Sequence, residues 1–397
     1  MIIRMNLKLC FLTLLSASAV AAGLSVSAQT QTTPAATPAP AAAPSAASAP
    51  ADATPKPWRI GPMDVTGFAD GFYTFNNNHP TNADNGQSNN LYNFNDTANV
   101  PDLSAVKLTL NHDPGKLGAH IDVLYGRTNT LINQPGQLEY VEQAYLSTKP
   151  PSAKGLELDL GKFVTSAGAE VIEAKDNWNY SRSVLFAWAI PYWHFGLRSS
   201  MPVSKTETLG VQVVNGWNNI TNSTGGVTVG VTSALVKTKY TWNVNFYTGP
   251  ENTSAQHAFR NLIDTTVLFT PNTKFNWYLN YDFGDNDNKI ANNTGNSVNS
   301  TWQGLALAAH DQFSTKMAVA LRGEFFNDGK GYSTGLGQNL GEFTGTYEYK
   351  WKYGLMSRAE FRKDWSDHDF FNRGNGQMVK SQTTATLALI LVLAPHQ

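Results

Sequence analysis

Phe275-Asn276-Trp277-Tyr278-Leu279-Asn280-Tyr281-Asp282-Phe283 decides the fold, because its residues alternate with a period of two. In an extended chain successive side chains point to opposite faces. Phe275, Trp277, Leu279, Tyr281 and Phe283 then share one wholly apolar face, and Asn276, Tyr278, Asn280 and Asp282 share the other. The same reading sets Met317, Val319, Leu321 and Phe325 against Lys316, Arg322 and Glu324, and Phe343, Tyr347, Tyr349 and Trp351 against Glu342, Thr344, Glu348 and Lys350. At the C-terminus Leu387, Leu389, Leu391 and Leu393 alternate with Ala388, Ile390 and Val392, a stretch too short for a spanning helix and long enough for a spanning strand.

Extended along the chain, the pattern predicts sixteen strands, near 65–75, 102–112, 117–126, 138–148, 155–163, 192–201, 205–215, 226–236, 240–248, 258–270, 274–284, 300–310, 314–326, 340–350, 353–364 and 378–393. Tight connections such as Asp113–Lys116, Pro202–Lys205, Pro271–Lys274 and Asp311–Ser314 take turns with long Asn-, Gly- and Thr-rich ones, the longest being 164–191. Short connections at one end and long ones at the other are the arrangement of outer-membrane barrels. A ten-residue strand rises about 33 Å, and a tilt of about 40° reduces this to roughly the 25 Å apolar band such barrels present to lipid. A soluble double sheet also shows period two, but its outer faces are rich in Lys and Glu; here even the polar faces hold few charges and much Asn, Thr and Gln. The fold expected is all-β, a transmembrane antiparallel barrel of about sixteen strands.

Composition agrees. Of 397 residues 15% are charged and 11% aromatic, and beyond the N-terminus no apolar run reaches the roughly 18 residues of a spanning helix. Residues 1–28, with Arg4 and Lys8 ahead of an apolar core and Val26-Ser27-Ala28 at the end, read as a cleaved export signal. Without it 27 basic residues face 30 acidic ones, so no basic footprint for nucleic acid exists. The single cysteine, Cys10, lies in the same leader, which removes disulfides, thiolate metal sites and thiol nucleophiles from the mature chain. Residues 29–60, mostly Ala, Pro, Thr and Ser, read as a periplasmic linker, and 61–397 as the barrel.

Gly161-Lys162-Phe163-Val164-Thr165, Gly168-Ala169-Glu170-Val171, Asn179 to Phe186 and Pro191-Tyr192-Trp193-His194-Phe195-Gly196-Leu197-Arg198 resemble the OmpL-like β-barrel porin family, the second such porin family. Val214 to Asn219 and Tyr247-Thr248-Gly249-Pro250-Glu251 do so too, and the resemblance runs from about Gly67 to the C-terminus. It implies an outer-membrane channel and transfers no catalytic residue. The ending Ala394-Pro395-His396-Gln397 departs from the aromatic terminus of many such barrels. By resemblance to trimeric porins, the chain is expected to form a homotrimer.

With the N-terminus periplasmic, 164–191 is the third external loop, which in those trimeric porins folds inward and narrows the channel. A sixteen-stranded barrel otherwise leaves a wide aqueous lumen. Glu170, Glu173, Lys175, Asp176 and Arg182 are therefore the constriction candidates. On the pore wall the alternation places Lys107, Arg198, Arg322, Glu324, Arg358, Glu360, Arg362 and Lys380. Basic groups facing acidic ones across a narrow neck set a transverse field, whereas pairs such as Arg322 with Glu324 also tie neighbouring strands together.

Other motifs carry less. Gly331-Tyr332-Ser333-Thr334-Gly335 matches a nucleophile elbow, but no helix follows it, so no catalytic residue is assigned. Asp285-Asn286-Asp287-Asn288 offers oxygen ligands without the glycine and terminal glutamate of a calcium loop, and the eight histidines show no metal-binding spacing. No metal or cofactor is expected. Asn-x-Ser/Thr sequons at Asn95, Asn219, Asn222, Asn252 and Asn293 follow from the loop composition. Trp217, Trp302, Trp351, Tyr353 and Trp365 fall near strand ends, where rings sit at the bilayer interface. The sequence thus describes a non-enzymatic outer-membrane porin for passive diffusion of small hydrophilic solutes or ions, with membrane lipid as its surroundings. The rival readings are a plugged barrel acting as an adhesin or structural anchor, and an outer-membrane hydrolase.

Overall fold

The computed structural model describes residues 57–81, 88–133, 136, 138–222, 225–251, 259–291 and 297–393. The leader, nearly all of the linker, two of the sequons and the last four residues lie outside these.

Sixteen long strands form one closed antiparallel sheet: β1 Met63–Asn76, β2 Pro101–His112, β3 Gly118–Tyr125, β4 Val141–Thr148, β5 Glu157–Val164, β6 Trp193–Pro202, β7 Glu207–Val214 and β8 Thr228–Lys237 make the first half. The second half is β9 Tyr240–Pro250, β10 Phe259–Phe269, β11 Phe275–Ala291, β12 Ser297–Asp311, β13 Met317–Asp328, β14 Gln338–Lys350, β15 Leu355–Ser366 and β16 Ser381–Leu393. Each strand pairs with the next, and β16 returns to β1 with Leu393 opposite Gly67 and Thr384 opposite Asn76. Closure leaves no edge whose N–H and C=O groups would meet hydrocarbon unpaired.

The alternation read from sequence is the alternation seen. Leu321 and Phe325 on β13 are exposed while Ala320, Arg322 and Glu324, of the other parity, are buried, and Leu387 and Leu389 on β16 are exposed around a buried Ala388. The exposed face is apolar from strand to strand, which is how a surface bathed in lipid differs from one bathed in water. Rings gather at the end that carries the tight turns: Phe269 of β10 stacks on Trp277 of β11 with centroids 4.1 Å apart, and Trp351 and Tyr353 stand exposed in the turn between β14 and β15.

Three departures are local. Strand β11 continues to Ala291 instead of ending near 284, with Asp285 opposite Thr301 and Asn286 opposite Ser300. The acidic run read as a loop tip is therefore strand, because ladder bonds to β12 override the poor strand propensity of Asp and Asn. Residues Arg127–Ile132, read as irregular, form a short helix, α1, entered through Gly126 at φ 120°. Trp58–Ile60, assigned to the linker, pairs with Met63–Val65.

Candidate functional site: the loop network inside the barrel

The connection between β5 and β6 carries a short helix, α2 Val184–Trp188, whose Ser183 caps the N–H of Phe186. Most residues of this connection are buried, and the rest are half-buried. Its partners are inward-pointing side chains of many strands, so it runs within the barrel. On one side Arg322 of β13 donates to Glu170 at 2.7 Å and to the carbonyl of Ser181 at 2.8 Å. Glu324 accepts from the N–H groups of Val184 and Leu185, both at 3.1 Å, and Glu360 of β15 accepts from those of Tyr180 at 2.6 Å and Ser181 at 3.0 Å. Arg358 donates to the carbonyl of Ala174 at 2.6 Å, and Arg362 to that of Arg182 at 2.7 Å. Two glutamates thus hold loop N–H groups and three arginines hold loop carbonyls. A segment with little regular structure must satisfy its buried backbone in some such way.

Anchors continue around the wall. The Tyr180 hydroxyl donates to Asp70 of β1 at 2.9 Å, Asn280 of β11 accepts from the N–H of Ala169, and the Trp302 indole of β12 donates to the carbonyl of Ala189. On the strand next to β1, Lys107 of β2 pairs with Glu173 of the loop, with Asp122 at 2.8 Å and with Glu142 at 2.6 Å. Against β3 to β8, by contrast, the hydrogen bond from residues 165–191 among the described residues is that between Ser166 and Gln212.

The constriction candidates therefore divide. Glu170, Glu173 and Arg182 are locked in the network: Arg182 lies over the Phe94 ring at 4.8 Å and donates to the carbonyls of Ile172 and Tyr180. Burial pushes the Arg182 guanidinium below its ordinary value. Burial acts to raise Glu173, but Lys107, with Lys175 behind it, outweighs burial and holds the carboxyl below its usual range. Lys175 and Asp176, paired with each other, keep 26% and 41% of their side chains exposed.

Of the wall candidates, Arg322, Glu324, Arg358, Glu360 and Arg362 grip the loop, and Lys107 reaches it through Glu173. Arg198 instead pairs with Asp159 at 2.7 Å, between the rings of Tyr145 and Phe163. Lys380 does not lie on the wall: it precedes β16, exposed, donating to the carbonyl of Asp367, because the short hairpin Phe371–Arg373 with Gln377–Val379 takes this stretch off the barrel.

Sequence reasoning missed several members. Glu142 shares the parity of the outward-facing Leu146, but a register shift where β3 pairs with β4, at Asp122/Val123, turns it to Lys107. Asp70 sits between the inward Phe68 and Phe72, and large rings inside with Gly67, Ala69 and Gly71 outside invert the usual order on β1. Trp302, read as an interface ring, is buried inside against Trp217 and Tyr332. Ser333 belongs to a turn whose N–H groups, from Tyr332 to Thr334, are held by the Asp328 carboxylate.

A closed sixteen-strand barrel with an apolar outside and a charged network across its inside is a membrane channel of the porin class. The family described as "Putative beta-barrel porin-2, OmpL-like" matches residues 62–393, and the chain belongs to that family: it is a porin of the cell outer membrane. Solved structures agree in fold. The anion-selective porin from Comamonas acidovorans superposes with a TM-score of 0.57 at 10% identity, over 83% of this chain and 99% of that one. The outer-membrane channel DcaP of Acinetobacter baumannii gives 0.58 at 10%, over 85% and 100%. OmpF of Salmonella typhi, in complex with daunomycin, gives 0.57 at 13%, over 83% and 97%. A comparison with curated protein sequences returned no match.

Proposed function

We propose that this porin passes small hydrophilic solutes by diffusion, without a chemical step, along a narrow path between the β5–β6 connection and the wall of β3 to β8. The observation that carries this is the one-sidedness of the network. The loop is bonded densely to β11–β15 and to β1 and β2; among the described residues it meets β3 and β4 at Glu173, whose carboxylate lies within 4.8 Å of those of Asp122 and Glu142 around Lys107, and elsewhere on β3–β8 it is barely bonded, with Arg198 and His120 keeping 15% and 18% of their side chains exposed. Lys175, 5.5 Å over the Phe68 ring of β1, and Asp176 are the loop's most exposed charges, and their pairing makes the expected ion selectivity weak. Glu170 and Glu173, neutralised by Arg322 and Lys107, act as anchors in this reading. Residues 1–28 would direct export and 29–60 would lie in the periplasm. A homotrimer is the assembly proposed, supported by the fold likeness to an outer-membrane protein of Vibrio cholerae described in a trimer form, with a TM-score of 0.51 at 11% identity.

Planar-bilayer recording tests this. Purified protein is expected to give ohmic single-channel current that falls steeply as sugars of increasing size are added, and cross-linking is expected to stop at three copies. Silent protein overturns the reading and leaves the loop as a plug, a role for which the apolar cluster of Phe94, Ile172, Leu185 and Phe186 inside the barrel already provides.

A further inference from the structure

At the end carrying the long connections, Arg260 of β10 points inward on the same face as Leu262 and Asp264. Its guanidinium lies 4.8 Å from the centre of the Trp217 ring and 5.3 Å from that of Tyr332. Tyr332 in turn stacks on Trp302, with centroids 4.8 Å apart and planes 16° from parallel. Arg260 and Trp302 pair through their backbones in the ladder, but none of these side chains holds the β5–β6 connection apart from the Trp302 indole, which donates to Ala189 at 2.9 Å.

Beyond a side-chain contact to Tyr332, Arg260 is poorly satisfied. The carboxylate beside it, Glu251, stands 3.9 Å away, beyond hydrogen-bond reach. The Glu251 oxygens are taken by the Trp217 backbone N–H at 3.0 Å and the Thr228 hydroxyl at 2.5 Å. Burial pushes the Glu251 carboxyl above its usual range, so it opposes an incoming anion less than an exposed glutamate would. Meanwhile Arg260 Nε and the Trp217 indole nitrogen are both buried with no hydrogen-bond partner among the described residues. Two neighbouring buried donors without acceptors are costly to maintain, and each marks a place where an acceptor is missing.

We propose that Arg260 and Trp217, over the stacked rings of Tyr332 and Trp302, form a binding site for small planar carboxylates on their way through the channel. A carboxylate offers two acceptor oxygens in the plane that a guanidinium fork matches, and its negative charge supplies the counter-ion that Glu251 gives only at a distance. A flat ring attached to it lies against Trp217 and Tyr332, the two half-buried rings, with the buried Trp302 backing them, and stacking adds to the contact. The site deepens the diffusion reading and rests on it: a solute that pauses here is delivered to the mouth of the narrow path, because Trp302 touches the loop that bounds it.

The test is titration of the purified full-length protein, folded in detergent, with benzoate and with the neutral isostere benzamide, read by tryptophan fluorescence. Benzoate is expected to quench and to saturate, benzamide to bind at least about tenfold more weakly. Arg260→Gln is expected to weaken benzoate by about tenfold or more, and Trp217→Phe to weaken it and remove most of the signal. Arg260→Lys keeps the charge but loses the fork, and is expected to fall between. Altered mobility on unheated gels confirms that each variant has folded. Equal responses to benzoate and benzamide, or unchanged benzoate affinity in Arg260→Gln, overturn the site. The titration needs no current, so its failure leaves diffusion to be judged on conductance, and a silent bilayer leaves the binding result standing.

Discussion

Arg322→Met is expected to destabilise the folded barrel by about 3–5 kcal/mol, the usual cost of stripping one partner from a buried ion pair. The arginine faces Glu170 at 2.7 Å and Glu324 and Glu342 at 3.0 Å each, all of them buried. Its removal leaves three carboxylates together in a low dielectric with the cation that balanced them gone, and frees the carbonyl of Ser181 as well. Unfolding in urea, followed by the mobility difference between heated and unheated samples, measures the loss. Because the same residue pins the β5–β6 connection to β13, surviving molecules are also expected to show noisier and larger single-channel currents. A loss below about 1 kcal/mol would place Arg322 among solvated charges and contradict its burial.

The neighbouring position gives the second large effect with the opposite orientation. Leu321→Arg, on the exposed apolar face, is expected to cost about 2–4 kcal/mol near the middle of the bilayer, whereas Thr232→Arg, on the inward face of β8, is expected to stay within about 1 kcal/mol. Folding yield into liposomes reads both. Asn280 would be a poor inward control, since its side chain bonds Asp264 at 3.0 Å and Ala169 at 3.2 Å. Equal costs at Leu321 and Thr232 would mean that the register is off by one, which exchanges every inward side chain for an outward one.

How much of this was legible in the sequence differs between wall and interior. Strand positions, tight turns and the outward face follow from a two-residue period that is local, so Phe275 to Phe283 alone states it. The interior is not local. Arg322, Arg358 and Arg362 lie buried on the inward face, but nothing in their spacing shows that their partners are the carbonyls of Ser181, Ala174 and Arg182, well over a hundred residues away. Nor does it show that Glu360 receives two backbone N–H groups. Glu142 was hidden by a bulge, and Asp285 and Asn286 by a run that looks like loop yet pairs as strand. Where sequence reasoning expected charges opposed across water, the structure joins Glu170 to Arg322 and Glu173 to Lys107, and the exposed loop charges are reduced to Lys175 and Asp176.

That reduction is the central claim, and one measurement reaches it directly. The chain's sole cysteine is Cys10, so protein refolded from residue 29 onward has no thiol, and Asp176→Cys introduces one at a single known place. With this variant conducting in a planar bilayer, a charged, water-soluble methanethiosulfonate reagent is expected to lower the single-channel current in discrete steps, one for each protomer modified, and to leave the parent protein unchanged. Full labelling, verified by mass, with no change in current would contradict the account, because the loop's exposed edge would then lie away from the path that solutes take.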